Sequence, residues 1–157
     1  MTAAVPVVRD ACPSDWEAFV ALWTECLLMH QVPPDLAAAK RIWDLVVDRG
    51  STLGIRVALL AEQVVGFAIH SSQVNSWTGG EDGCLDTLFV ASEARGTGVG
   101  RVLLLDLLEI GRSRGWRTVF WHVRADNTVA RALYDQHGVE EGYVRYRTPA
   151  LASVKGD

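Results

Sequence analysis

The sequence predicts one α/β domain. Three observations carry that expectation. Four stretches place apolar residues at helical spacing. Six short apolar or β-branched stretches lie between and beyond them, and a glycine-rich turn joins one of these strands directly to a helix. The length of 157 residues suits a single domain, with residues 1–148 as its expected extent and 149–157 as a small, polar, frayed tail.

Taken in order, Val5 to Arg9 alternates weakly and predicts a first strand. Ser14 or Asp15 caps a helix running to about His30. Its residues Phe19, Leu22, Trp23, Cys26, Leu27 and Met29 fall mostly at helical spacing. Pro33-Pro34 breaks the chain and opens a second helix, about Asp35 to Arg49, with Ile42, Leu45 and Val46 on its buried side and Gly50 at its end. Ile55 to Ala61 and Val64 to His70 predict a hairpin, and Ser71 to Gly83 a polar loop containing Trp77. Cys84 to Val90 is a further strand. The glycine-rich turn then leads into a helix ending near Arg114, with Leu103, Leu104, Leu107, Leu108 and Ile110 opposite a polar side that includes Asp106. Thr118 to Val123 is a strand. Asp126 or Asn127 caps a last helix through Gln136, with Gly138 at its exit, and Glu141 to Arg147 is a final strand.

Composition narrows the function. Hydrophobic residues make up 49% and charged residues 22%, which excludes a disordered or fibrous chain. No apolar run approaches the ~18 residues of a membrane span, and the first ten residues do not read as a signal peptide. Three widely spaced cysteines, Cys12, Cys26 and Cys84, predict neither a disulfide framework nor a zinc site, and a cytoplasmic location follows as the expectation. Residues 1–90 hold five Lys/Arg against eleven Asp/Glu, whereas residues 91–131 hold seven against four. The first segment leans toward cations and the second toward a small polyanion. A pI near 5.5 argues against a nucleic-acid partner.

The turn Arg95-Gly96-Thr97-Gly98-Val99-Gly100 follows a strand and opens a helix. The first amides of a helix lack intrahelical partners and the helix dipole favours negative charge there. Glycines let a ligand approach the backbone, and Arg95 and Arg101 add charged donors. A phosphate or pyrophosphate seat is expected. A P-loop is excluded because no Lys follows the glycines. A dinucleotide fingerprint is excluded by the glycine spacing and by the lack of an acid about 20 residues on, at Trp116 to Trp121.

Residues 84–147 resemble the acetyl-CoA-binding core of the GNAT acetyltransferase superfamily. The turn matches the family's Arg/Gln-x-x-Gly-x-Gly/Ala pattern. Leu85-Asp86-Thr87-Leu88-Phe89-Val90 is similar to its Leu-Glu-Asp-Leu-Phe-Val strand. Asn127 to Tyr134 followed by Gly138 is similar to its Asn…Ala…Leu-Tyr…Gly segment. The strand looks closest to the branch of polyamine and other small-amine acetylating enzymes, with Asp86 and Thr87 standing where that branch carries Glu and Asp. The resemblance implies a mixed, mostly antiparallel central sheet of about six or seven strands flanked by about four helices. It also implies acetyl-CoA as cofactor, an amine acceptor that is a small molecule or a peptide, and a possible homodimer to which Tyr143 and Tyr146 would contribute.

N-acetyl transfer sets four tasks. The phosphates must be held, by Gly96 to Gly100 with Arg95 and Arg101. The thioester carbonyl needs an N–H donor where its oxygen gains charge; the resemblance gives this to the strand at Leu88, Phe89 and Val90. It adds Asn127, Ala130, Leu133 and Tyr134 as further cofactor contacts. The amine, with an ordinary pKa near 10.4, must lose a proton. Asp86 leads as base, with Glu81, Asp82, His122 or a water relay as alternatives. By helix position alone Tyr134 reads as a core tyrosine packing its ring; the resemblance implies instead that it gives a proton to the departing thiolate, as the family's usual general acid. Trp77, Glu81 and Asp86 are the candidate acceptor contacts, while Trp23 and Trp43 read as core. His30 and His70, at element ends, read as surface residues, and no histidine has metal-ligand spacing. A non-catalytic acyl-CoA-binding or sensor module is the alternative reading.

Overall fold

The computed structural model describes residues 4–47 and 50–148. By its internal contacts the chain divides into two compact units between His122 and Val123. The first contains β1 (Val7–Asp10), a 3-10 turn (Pro13–Asp15), α1 (Trp16–Met29), α2 (Leu36–Val47), β2 (Gly54–Leu60), β3 (Gln63–Val74), β4 (Glu81–Val90), a second 3-10 turn (Ser92–Ala94), α3 (Val99–Arg114) and β5 (Val119–Trp121). The second contains α4 (Thr128–Tyr134). The expected end of the second helix, at residues 48–49, and the tail at 149–157 lie outside the described residues.

The sheet has five strands in the order β1-β2-β3-β4-β5, antiparallel except for the β4–β5 pair. The fold class is as expected, but the strand count is below the six or seven anticipated. Residues 139–147 form no strand, and Val139, Tyr143, Val144 and Tyr146 are exposed. Their alternation is a strand signal, but a strand exists only where a ladder takes up its N–H and C=O groups. Gly142, at φ 75°, also interrupts the extended run.

The hairpin forms as read. Ala61 and Glu62, both at positive φ (47° and 67°), make its two-residue turn, the geometry that matches strand twist. β3 and β4 run further than expected, because Ser71–Val74 and Glu81–Gly83, read as loop, extend the ladder.

One face of the sheet carries α1 and α2. Phe19 stacks near Trp43 (5.1 Å) and Phe67 (5.3 Å), and Phe67 near Phe89 (6.0 Å). Trp23 is buried in this cluster, as its spacing predicts, and Trp43 is buried beside it, whereas Leu45, expected on the buried side of α2, is 49% exposed. Alternate strand residues face the other side, where Val99, Leu103, Leu104 and Leu107 of α3 are buried. A Cβ on Gly66 would lie 3.1 Å from Val99 Cγ1, so that glycine allows α3 to sit close. Arg56 fixes the same helix: it pairs with Asp106 (Nε–Oδ2 2.7 Å, Nη2–Oδ1 2.9 Å) and with Asp10 (2.7 Å).

His70 is 1% exposed, which corrects its reading as a surface residue. Its ring packs against Trp116, 6.0 Å between centroids, and a Cβ on Gly54 would lie 2.4 Å from its Nε2. The glycine opposite makes room for the imidazole, and His70 is not the strand end it was expected to be, because β3 continues to Val74. Among the described residues, no helix is long and apolar enough to cross a membrane and no group of three or more His, Cys, Asp or Glu can hold a metal ion.

Candidate active site

Two irregularities of the sheet fall on one residue. In the β3–β4 ladder Ile69 opposes Thr87 and His70 opposes Leu85, which leaves Asp86 without a cross-strand partner. This is a β-bulge, a device that re-aims a side chain and ends pairing. On the other edge of β4 the parallel ladder to β5 runs from Gly83↔Val119 to Leu85↔Trp121 and stops. From Asp86 to Val90, no described strand pairs with that edge of β4. Trp116 sets the start of the pairing: Gly83 has no Cβ, and one would lie 2.1 Å from the Trp116 ring.

The freed edge presents backbone groups. Ala91 N–H donates to Val65 O at 2.9 Å, which with the Gly66↔Val90 register turns Phe89 toward β3. Backbone groups alternate along a strand, so Leu88 and Val90 face the unpaired edge. The Val90 carbonyl accepts Arg95 Nε–H at 3.1 Å. The Leu88 amide and carbonyl and the Val90 amide are directed along the opening.

The glycine-rich turn continues from this edge. Gly96 and Gly98 adopt φ 77° and 88°, a left-handed conformation that side chains strain. Gly98 is the N-cap of α3 and supplies no side-chain cap, and the first intrahelical bond runs from Val102 N–H to Gly98 O (3.1 Å). The amides of Val99, Gly100 and Arg101 thus have no intrahelical acceptor. Thr97 directs its hydroxyl to Ala94 O at 2.6 Å and so braces the turn. A Cβ at Gly96 or Gly98 would meet nothing within 4 Å, so these two glycines answer to conformation and to open space above the turn.

The Arg95 side chain makes its contacts within the protein. Besides Val90 O, its guanidinium lies 4.0 Å from Glu25 Oε1, 3.5 Å from Met29 Sδ and over the Phe89 ring at 5.6 Å. It ties the turn to α1 and β4. Arg101 is exposed at the third position of α3 and makes no ion pair among the described residues.

Replacing Gly98 by Val imposes a β-branched residue at φ 88° and projects its side chain into the open space above the amides. We expect the affinity of an anion seated there to fall about ten-fold or more, a loss of about 1.4 kcal/mol. Calorimetric titration of the folded variant checks this, and unchanged affinity contradicts it.

Asp86 is exposed and its carboxylate is held by two donors: Ser71 Oγ–H to Oδ2 at 2.8 Å and Cys84 Sγ–H to Oδ1 at 3.5 Å. The other two acceptor candidates do not join it. Glu81 begins β4, exposed, five residues and about 16 Å away at ~3.3 Å per residue. Trp77 is 91% exposed at the tip of the β3–β4 turn, where its backbone N–H donates to Asn75 Oδ1. Asp82 is buried, and the Asn75 amide donating at 2.7 Å holds its pKa down. His122 is exposed, with its ring 6.0 Å from that of Phe120.

In the second unit, Asn127 caps α4: its Oδ1 accepts from Ala130 N–H at 3.1 Å. Arg131 steadies the helix by donating to Ala125 O (3.1 Å) and to Glu140 (2.8 Å). Ala130, Leu133 and Tyr134 are half-buried, whereas Val129 is 83% exposed. Burial raises the Tyr134 phenol above its ordinary value of 10, so it is protonated at neutral pH.

The bulge was not legible in the sequence. Nothing in Cys84 to Val90 marks an extra residue, because a bulge is defined by the partner's register.

The acetyltransferase (GNAT) family profile matches residues 16–139. Mycothiol acetyltransferase of Thermobispora bispora is 39% identical over 88 residues, covering 54% of this chain and 29% of that protein. The D-amino-acid N-acetyltransferase HPA3 of Saccharomyces cerevisiae is 28% identical over 145 residues, covering 90% of this chain and 89% of that protein. Thus the chain spans under a third of the first relative and most of the second. Among solved structures, a possible acetyltransferase from Clostridium difficile 630 superposes with TM-score 0.81 at 17% identity, covering 94% of this chain and 99% of that one.

Proposed function

The chain belongs to the acetyltransferase (GNAT) family, and from that premise we propose that it moves the acetyl group of acetyl-CoA to a primary amine by direct attack. The observation that carries this reading is the coincidence at Asp86 of the β4 bulge and the end of the β4–β5 ladder. It leaves an unpaired strand edge leading to a turn of uncommitted amides.

These features fit an acyl-CoA. A pantetheine arm carries amides that need backbone partners, which Leu88 and Val90 offer. A pyrophosphate needs N–H donors without a crowding side chain, which Gly96 to Arg101 offer. Acetyl-CoA supplies an activated acyl group. In this reading Leu88 or Val90 N–H stabilises charge on the acyl oxygen, and Arg101 adds positive charge at the phosphate end. Asp86 binds the incoming ammonium or takes its proton. Tyr134, protonated at neutral pH, gives a proton to the CoA sulfur as it leaves.

The acceptor class has two supports. The carboxylate at the bulge suits a cation, and residues 1–90 carry the chain's acidic excess. The yeast relative is named for acetylating the amine of D-amino acids.

Thermal unfolding with single ligands tests the cofactor. Acetyl-CoA and CoA at 100 times their dissociation constants should stabilise the protein by about 2.7 kcal/mol, with no shift from NAD or ATP at the same concentration. A shift from NAD alone would contradict the reading.

A further inference from the structure

We propose that Ser71 is a positioning residue for the acceptor amine, acting through Asp86. This rests on the reading that Asp86 meets the acceptor. Ser71 lies on β3 opposite Cys84, the pair next to His70↔Leu85, which borders the bulge. Asp86 has no ladder partner, so its backbone does not fix where its carboxylate points. The side chain instead reaches across the strand gap, and Ser71 Oγ–H donates to Oδ2 at 2.8 Å. Cys84 Sγ–H, on the same strand as Asp86, reaches Oδ1 at 3.5 Å, a longer and weaker contact.

An ionised carboxylate offers about four acceptor sites, and these two donors occupy two of them. The remaining lone pairs are therefore presented in one orientation. An exposed aspartate otherwise samples several rotamers, and an amine binding it must bear the cost of ordering. A serine that fixes the carboxylate beforehand removes that cost, which is the usual benefit of preorganisation. The side-chain length is consistent with this. Aspartate keeps its carboxylate close to the strand, within one hydrogen bond of the neighbouring serine.

A cross-strand polar pair also contributes to stability, roughly 0.2–1 kcal/mol. That role alone leaves acceptor kinetics unmoved, so a double-mutant cycle on acceptor kinetics separates the two. The proteins are wild type, Ser71→Ala, Asp86→Ala, the double variant and Ser71→Thr, assayed with an amine acceptor that the wild type turns over. Ser71→Ala should raise the amine KM about ten-fold and leave the acetyl-CoA KM within about two-fold. Ser71→Thr, which keeps the hydroxyl, should restore the amine KM. In the Asp86→Ala background, Ser71→Ala should add no further loss.

Equal losses from Ser71→Ala in both backgrounds would overturn the proposal. So would an unchanged amine KM in Ser71→Ala when Asp86→Ala is impaired. If Asp86→Ala itself leaves the amine kinetics unchanged, the assignment of Asp86 to the acceptor fails and takes this inference with it. If Ser71→Ala does not fold, Ser71→Cys in the same cycle supplies the weaker donor, and an amine KM equal to wild type would overturn the proposal.

Discussion

Tyr134→Phe should lower kcat by roughly 10²–10⁴ if proton transfer limits the rate, with acetyl-CoA affinity changed by no more than a few-fold. The substitution keeps the ring and removes the hydroxyl. The thiolate leaving group carries negative charge only as the thioester breaks, so a donor to it acts late on the reaction path. An interaction made at that stage raises turnover and not ground-state binding. The phenol holds its proton at neutral pH, as its ordinary value of 10 already ensures, and burial raises that value further, so the proton is available but leaves only as negative charge builds on the sulfur. Single-turnover kinetics on an accepted amine, with acetyl-CoA binding measured separately, check this. Near wild-type turnover with chemistry rate-limiting would reduce Tyr134 to a packed aromatic residue.

The second large effect concerns stability in acid. His70 is buried, and burial, with Arg114 and Arg56 nearby, pushes its pKa down from 6.5 to about 4 against the smaller opposing pull of Asp10 and Asp106. The folded protein therefore binds this proton less readily than the unfolded chain. Stability from the neutral imidazole is fully present above 6.5 and is lost as pH falls through about 4. At 1.36 kcal/mol per unit this amounts to about 3 kcal/mol. Asp15, held down to about 2 chiefly by the Arg9 guanidinium, contributes a separate loss below its ordinary 3.8. Urea unfolding across the 6.5-to-4 window checks the His70 effect, since His70→Gln should flatten the slope there. A wild-type slope unchanged by that substitution would contradict it.

The two effects differ in how far the sequence announced them. Tyr134 was reached by resemblance and by its place near the end of a capped helix. His70 was misread because strand ends are usually exposed, and what buries it are Trp116 and the absence of a side chain on Gly54, both distant in sequence. The ion pair of Arg56 with Asp106 was hidden in the same way. Asp106 lay on the polar side of an amphipathic helix, and only the packed fold shows that this side meets a partly buried arginine fifty residues earlier. Local signals fared better. The glycine turn, the helix that follows it and the Asn127 cap depend on neighbours in the chain, and each formed where its residues predict. The strand expected at 141–147 shows the limit of such signals: alternation can mark an extended segment, but pairing requires a partner the segment does not carry.

The central claim is transfer of an acetyl group from acetyl-CoA to an amine. Thiol release from acetyl-CoA, followed in a panel of primary amines with the product mass read in parallel, tests it most directly. The account predicts release that depends on both the protein and an amine, with one acetyl group gained by the amine for each thiol freed. Acetyl-CoA binding without acetylated product from any amine in the panel would contradict it and favour a module that senses acyl-CoA.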